Sequence, residues 1–260
     1  MKLSDSKVEI VRRNNKAVYQ DGNRIVKVFN DRKPASDVVN EALNLARVSE
    51  TGLRVPQLVE VSQVSEGEWQ GSWALSTEYV PGKDLATLAA EDVPERADKY
   101  LQQFVELQVE YQKTDAPLLN RQKDKLLRMV KSVKSVDPSV RYDLEIRIRG
   151  MKSGFKVCHG DFNPTNVIVP DDGSAPYVCD WAHVTAGLPE VDAATTYLLF
   201  SVESEERAKR YLTLYSKAAD IPQQVIMQWV PVVAAAELAR GRAEKEEFLR
   251  GWIDAVFGDE

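Results

Sequence analysis

Residues 159–166 read HGDFNPTN, one imidazole, one carboxylate and two carboxamides, and the apolar run Val167-Ile168-Val169 follows at once. A short β-branched run bounded by turn formers reads as a buried strand. Asp171-Asp172-Gly173-Ser174 then supplies a turn, and YVCDW a return arm. A hairpin of this kind folds back, so Asp180 is expected close to Asn166. An Asp and an Asn converging on one point offer the hard oxygen ligands that Mg²⁺ takes. Asp161, five residues before Asn166, is placed to orient a hydroxyl and accept its proton. Phosphoryl transfer asks for this combination of metal on phosphate and base beside the nucleophile.

The rest of the chain is organised around that segment. KAVYQ and RIVKVF are β-rich runs joined by Asp21-Gly22-Asn23, a hairpin turn. Residues 36–50 read as a helix with Ser36 as its cap and Gly52 beyond its end. VPQLVEVSQV and WALSTEYV read as further strands, and Pro81-Gly82 as a break. Helices are expected near 84–90, 94–114, 119–134 and 138–150, and again from about 189 to the end. A β-rich part, residues 1–80, thus precedes a mainly helical part, residues 81–260. A cleft between two such lobes is a natural ligand site.

HGDFNPTN followed by Cys179-Asp180-Trp181 resembles the aminoglycoside phosphotransferase and choline-kinase-like family, small-molecule kinases with the protein-kinase-like fold. The resemblance implies a two-lobed α+β fold, with a nucleotide-binding lobe at 1–80 and the catalytic loop and substrate site in 81–260. It implies ATP and Mg²⁺ as cofactors, Asp161 as the catalytic base, and Asn166 and Asp180 as metal ligands. The family also carries a lysine on a strand and a glutamate on the next helix. In RIVKVF, alternation puts Ile25, Lys27 and Phe29 on one face. In the helix, Glu41 shares a stripe with Val38, Leu45 and Val48, a costly place for a carboxylate without a partner. Lys27 is that partner, and the pair would hold the nucleotide's phosphates. By the same resemblance, backbone groups around Glu78–Val80 meet the adenine edge, and Ile25 and Ile168 sandwich the ring. Asp192 braces the catalytic loop, and His159 is a scaffold residue.

The match has departures. The turn over the phosphates reads Arg13-Asn14-Asn15-Lys16, without the expected glycines, although Asn tolerates the left-handed backbone of a tight turn. Backbone N–H groups there, or Lys16, remain able to meet phosphate. No Walker A sequence is present. Asn163 stands where protein serine/threonine kinases carry a lysine, and only eleven residues separate Asp180 from Asp192, too few for a long activation segment. The expected enzyme is therefore a small-molecule kinase, with an alcohol group as acceptor. The alternative is a nucleotide-binding regulatory protein with weak or no catalysis.

Composition narrows the partners. A net charge of −6 argues against a nucleic-acid footprint. WVPVVAAAELA at 229–239 is too short to span a bilayer, and the N-terminus lacks the apolar region of a signal peptide. Two cysteines, Cys158 and Cys179, make no disulfide framework, and a reducing cytoplasm is the simplest setting. With His159 and His183 they raise the idea of a zinc site. Cys158 and His159 are adjacent on a strand and should point oppositely, however, and no C-x-x-C spacing supports the site. Residues 185–260 hold the acidic excess, net −5, including Glu190, Glu203, Glu205, Glu206 and the chain end Phe257-Gly258-Asp259-Glu260. That balance suits a cationic acceptor of the aminoglycoside, choline or amino-alcohol type. Trp181, Trp229 and Trp252 are candidate faces for a quaternary ammonium.

Overall fold

The computed structural model describes residues 1–93, 96–241 and 245–257. The chain opens with β1 Val8–Arg13, β2 Lys16–Asp21, β3 Arg24–Phe29, α1 Ala35–Ser49, β4 Leu58–Gln63, β5 Trp73–Glu78, β6 Gly82–Asp84 and α2 Leu85–Glu91. The helices α3 Ala97–Tyr111, α4 Gln122–Ser132 and α5 Pro138–Gly150 follow. Short strands come next: β7 Lys156–Cys158, β8 Val167–Pro170, β9 Tyr177–Val178 and β10 Thr185–Gly187. The last stretch holds α6 Pro189–Glu203, α7 Glu205–Ala219, α8 Gln223–Met227, α9 Val230–Leu238 and α10 Glu246–Phe257. Backbone contacts divide the chain into two compact units, Met1–Leu88 with Thr165–His183, and Ala89–Pro164 with Val184–Glu260. The first unit thus draws on two stretches of sequence, where a linear reading sets one boundary after residue 80.

The first unit is built on an antiparallel sheet in the order β1-β2-β3-β5-β4. Alternation sorts its side chains to two faces. Ala17 and Tyr19 of β2 join Val26 and Val28 of β3 and Ala74 of β5 on one face, where Met1, Leu3 and Trp69 pack against them. Phe29 and Leu75 join Val38 and Ala42 of α1 on the other. Lys27 lies between Val26 and Val28 in sequence, so it shares the α1 side with Phe29. Ser36 does not cap α1 as expected. The cap position is Pro34, without a side-chain cap bond, because the helix starts at Ala35 and takes Ser36 into its first turn. β6 was not foreseen, since Pro81-Gly82 reads as a break. It pairs with β8, where a Cβ on Gly82 would fall 2.2 Å from the Val169 carbonyl oxygen, so only glycine fits.

The second unit is mainly helical. α9 is buried along nearly its whole length, which accounts for its unbroken apolar sequence. Phe104 of α3, Phe162, Phe200 of α6 and Tyr211 of α7 form an aromatic cluster, with Phe104 and Phe162 stacked at 4.2 Å. β7 and β10 pair antiparallel, Cys158 opposite Thr185. Among the described residues, no helix is long and apolar enough to cross a membrane. The acidic chain end from Gly258 and the first residues of the helix read from 94 lie outside the described residues.

Candidate active site

In the first unit the Lys27 ammonium lies 2.6 Å from Glu41 Oε1 and 3.0 Å from Asp180 Oδ1. Strand alternation delivers the lysine, the α1 stripe delivers Glu41, and the return arm of the β8–β9 hairpin delivers Asp180. The Lys27 side chain is only 15% exposed. Burial disfavours its charge, yet Asp180 and Glu41 outweigh that and hold the ammonium above the ordinary lysine value. Lys16 reaches Asp180 Oδ2 at 3.7 Å. Burial and repulsion from Lys27 lower its pKa, against the pull of Asp180 and Glu41. Lys33, which carries no signal in the sequence, adds a contact of 3.9 Å to Glu41 Oε2.

Asp180 holds a left-handed backbone with φ of 59°. A non-glycine residue keeps that state only where its surroundings determine it. On one side the Cys179 N–H donates to the Asn166 carbonyl at 2.8 Å. On the other, Trp181 is buried with its indole N–H on the Val178 carbonyl, and Asn44 of α1 donates to the Ala182 carbonyl. The hairpin therefore returns Asp180 to Asn166 as the sequence predicts. One carboxylate and one carboxamide oxygen match the donor set of Mg²⁺, which keeps waters and phosphate oxygens in its shell. Among the described residues, no group of three or more His, Cys, Asp or Glu side chains forms a complete protein cage for a metal.

The remaining expected nucleotide contacts are all half-buried. Ile25 stands opposite Gln20 and Thr77, and Ile168 opposite Asp84 and Tyr177. The Glu78 N–H donates to the Gln57 carbonyl and the Tyr79 N–H to the Asn23 carbonyl, both at 2.9 Å. The β1–β2 turn closes with Arg13 opposite Lys16, but Asn14 and Asn15 take no left-handed conformation. Instead Asn30 fastens the turn, its side chain on the Asn14 carbonyl and its N–H on the Asn15 carbonyl.

In the second unit the loop after β7 presents Asp161. Gly160 has φ of 76°, a conformation that favours glycine, and its N–H donates to Asp192 Oδ1 at 2.8 Å. Asp192 is buried at the start of α6, where the helix N-terminus favours a carboxylate. Its Oδ2 accepts from the Tyr111 hydroxyl at 2.8 Å and the Gln112 amide at 2.9 Å. The Asp161 N–H donates to His159 Nδ1, so this buried imidazole acts as an acceptor and scaffold. Phe162 anchors the far side in the aromatic cluster. Asp161 itself stays half-buried between these fixed points.

Two charged residues of this unit were missed in the sequence. Arg240, just after α9, donates from Nη2 to the Gly160 carbonyl at 3.3 Å, and its Nη1 lies 3.1 Å from Glu237 Oε1. Lys125 of α4 has its pKa pushed down to about 7, by burial first and then by Arg240 and Arg128, against Glu237 and Asp161. A lysine with a folded value below its unfolded one binds its proton better in the unfolded chain, so its contribution to stability rises with pH between about 7 and 10.5. Lys125→Met is expected to stabilise the protein near pH 7 by about 1 kcal/mol or more and to flatten that rise, as read by denaturant titration across pH.

Several solved structures share this architecture. A thermostable mutant of aminoglycoside phosphotransferase APH(4)-Ia, in ternary complex with ADP and hygromycin B, aligns with TM-score 0.69 at 12% identity, over 97% of this chain and 93% of that one. An aminoglycoside-3'-phosphotransferase of type VIII gives 0.65 at 18% identity, over 90% and 94%. A choline/ethanolamine kinase family protein from Mesorhizobium loti gives 0.61 at 13% identity, over 98% and 86%. No curated protein matches the sequence significantly. The fold is the two-lobed α+β fold of the protein-kinase-like class. Within it, the chain belongs to the phosphotransferase enzyme family, which matches residues 11–224.

Proposed function

We propose that this protein is an ATP-dependent kinase that moves the γ-phosphoryl group to a hydroxyl of a small molecule. The observation that carries the reading is the Lys27 ammonium held by two carboxylates, 2.6 Å from Glu41 and 3.0 Å from Asp180. Lys27, oriented by Glu41, binds the nucleotide's phosphates, and Lys16 supports it. Asn166 and Asp180 hold Mg²⁺, which when bound neutralises charge on the phosphate oxygens. The Glu78 and Tyr79 amides are already committed, so the adenine edge would take the Val80 N–H and the second lone pair of the Glu78 carbonyl, which also accepts from the Thr77 hydroxyl at 3.3 Å, with Ile25 and Ile168 against the ring. That a fold relative binds ADP supports a nucleotide here.

In the reaction, Asp161 orients the acceptor hydroxyl and takes its proton. The acceptor oxygen bonds to the γ-phosphorus as the bond to the bridging oxygen breaks, and ADP leaves. Most of the rate gain comes from alignment and charge stabilisation. The short β1–β2 turn without glycine favours one other reading, a regulatory protein that binds nucleotide without transferring phosphate.

Calorimetry separates the roles. Lys27→Met is expected to weaken Mg-ATP binding by about 10- to 100-fold, the worth of a charged hydrogen bond. Asp161→Asn should leave that binding within about twofold of wild type. Unchanged affinity in Lys27→Met would remove the phosphate role of the lysine.

A further inference from the structure

Within the second unit, the turn that carries Asp161 is held at three backbone groups. The Gly160 N–H is taken by the Asp192 carboxylate at 2.8 Å, and the Asp161 N–H by His159 Nδ1 at 3.2 Å. The third group is the Gly160 carbonyl, which accepts from Arg240 Nη2 at 3.3 Å. That carbonyl and the Asp161 N–H belong to one peptide unit, which resonance keeps planar. His159 therefore holds one edge of the plane and Arg240 the opposite edge. The Asp192 bond acts on the peptide before it, so it does not fix this one. Gly160 has φ of 76°, and without a Cβ it offers little resistance to turning over the peptide that follows. Such a turn would break both bonds and re-aim the Asp161 side chain.

Local sequence explains where Arg240 stands. α9 ends at Leu238, and Gly241 closes it with φ of 69° and its N–H on the Leu238 carbonyl at 3.0 Å. Arg240 lies in that closing turn, three residues after Glu237, so the two side chains leave from neighbouring positions. Arg240 Nη1 lies 3.1 Å from Glu237 Oε1, and the side chains are only 13% and 9% exposed. Arg240 Nε and Nη1 are buried and make no hydrogen bond among the described residues, so the contact to Glu237 is one of charge rather than of aligned donors. A buried guanidinium with two idle donors is a poor source of stability, and an apolar side chain would suit the end of this apolar helix better. Among the described residues, the aligned acceptor of the Arg240 side chain is the Gly160 carbonyl.

We infer that Arg240 is a positioning residue of the transfer reaction: with Glu237 as its counter-charge, it locks the Gly160–Asp161 peptide and so sets the direction in which the Asp161 carboxylate meets the acceptor hydroxyl. The inference rests on Asp161 being the base of the proposed transfer. At 3.3 Å the bond is at the long end of the hydrogen-bond range, so its share of the rate is smaller than that of the base itself.

The test combines Arg240→Met with Glu237→Gln in one chain, so that no buried carboxylate is left without its cation, and sets it beside Arg240→Lys. Two quantities are read: amide hydrogen exchange at Asp161, and ADP release from Mg-ATP with water alone or with choline, kanamycin or glycerol as probe acceptors. The double variant is expected to exchange the Asp161 N–H about tenfold or more faster, with Tm unchanged or higher, because the pair it replaces adds little stability. Turnover should fall about tenfold, with the KM for ATP within about twofold of wild type. Arg240→Lys keeps one donor for the carbonyl and should recover most of the turnover. In an Asp161→Asn background the same double change should cost nothing further, because the positioned group is gone. A merely structural arginine would lower Tm and cost the same in both backgrounds. Unchanged exchange at Asp161, turnover within about twofold of wild type, or equal losses in the two backgrounds overturns the inference. Full activity in Asp161→Asn, or no ADP release by the wild type, would instead overturn the transfer reading, and the exchange at Asp161 would still decide whether Arg240 locks the peptide.

Discussion

Asp161→Asn is expected to lower acceptor-dependent turnover by about 10²- to 10⁴-fold, the usual contribution of a positioned general base. The backbone that holds this side chain survives the change. Its N–H still reaches His159 Nδ1, Gly160 still reaches Asp192, and Phe162 still stacks on Phe104. The loss should therefore fall on kcat, with the KM for ATP nearly unchanged. Steady-state kinetics with both substrates varied gives this split. Full activity in Asp161→Asn would remove the residue from the chemistry.

The second large effect is on stability. Asp192→Ala takes away a buried carboxylate and strands three donors, the Gly160 N–H, the Tyr111 hydroxyl and the Gln112 amide. Each stranded buried donor costs about 1–3 kcal/mol, so the expected loss for the three is about 3–9 kcal/mol. For a chain of this size that is a fall in Tm of about 6 °C or more. The Gly160 turn loses its anchor at the same time, so turnover should fall even at temperatures where the variant is folded. Scanning calorimetry beside kinetics at 15 °C reads both effects. A loss below about 1 kcal/mol would mean that other contacts fix the loop.

The features legible in the sequence are those that local rules determine. Strand alternation puts Lys27 on the face that α1 covers, and a carboxylate on the apolar stripe of that helix requires a cation, which makes the Lys27–Glu41 pair readable in advance. A short strand, a turn and a return arm bring Asp180 back to Asn166 for the same kind of reason. Asp192 is readable only through the family resemblance, since an acidic residue at a helix start has an ordinary meaning of its own.

Other features depend on packing between distant segments. β6 has three residues and pairs with β8, so no period within its own sequence announces it. Ser36 has the chemistry of a cap, but the helix begins one residue earlier, after Pro34. Asn14 and Asn15 suggest a left-handed turn, yet Asn30 holds their carbonyls in another conformation. Lys125 and Arg240 are ordinary surface-type residues in sequence, and only the packing of α4 against α9 gives them a shared field.

The most direct test of the central claim is ADP release from Mg-ATP in the presence of each small hydroxyl compound, with Asp161→Asn run beside the wild type. The account predicts release that depends on an acceptor, a phosphoester of that acceptor detectable by mass spectrometry, and loss of both in the variant. Tight binding of Mg-ATP with no phosphoester formed from any cationic, neutral or acidic acceptor would contradict it and favour the regulatory reading.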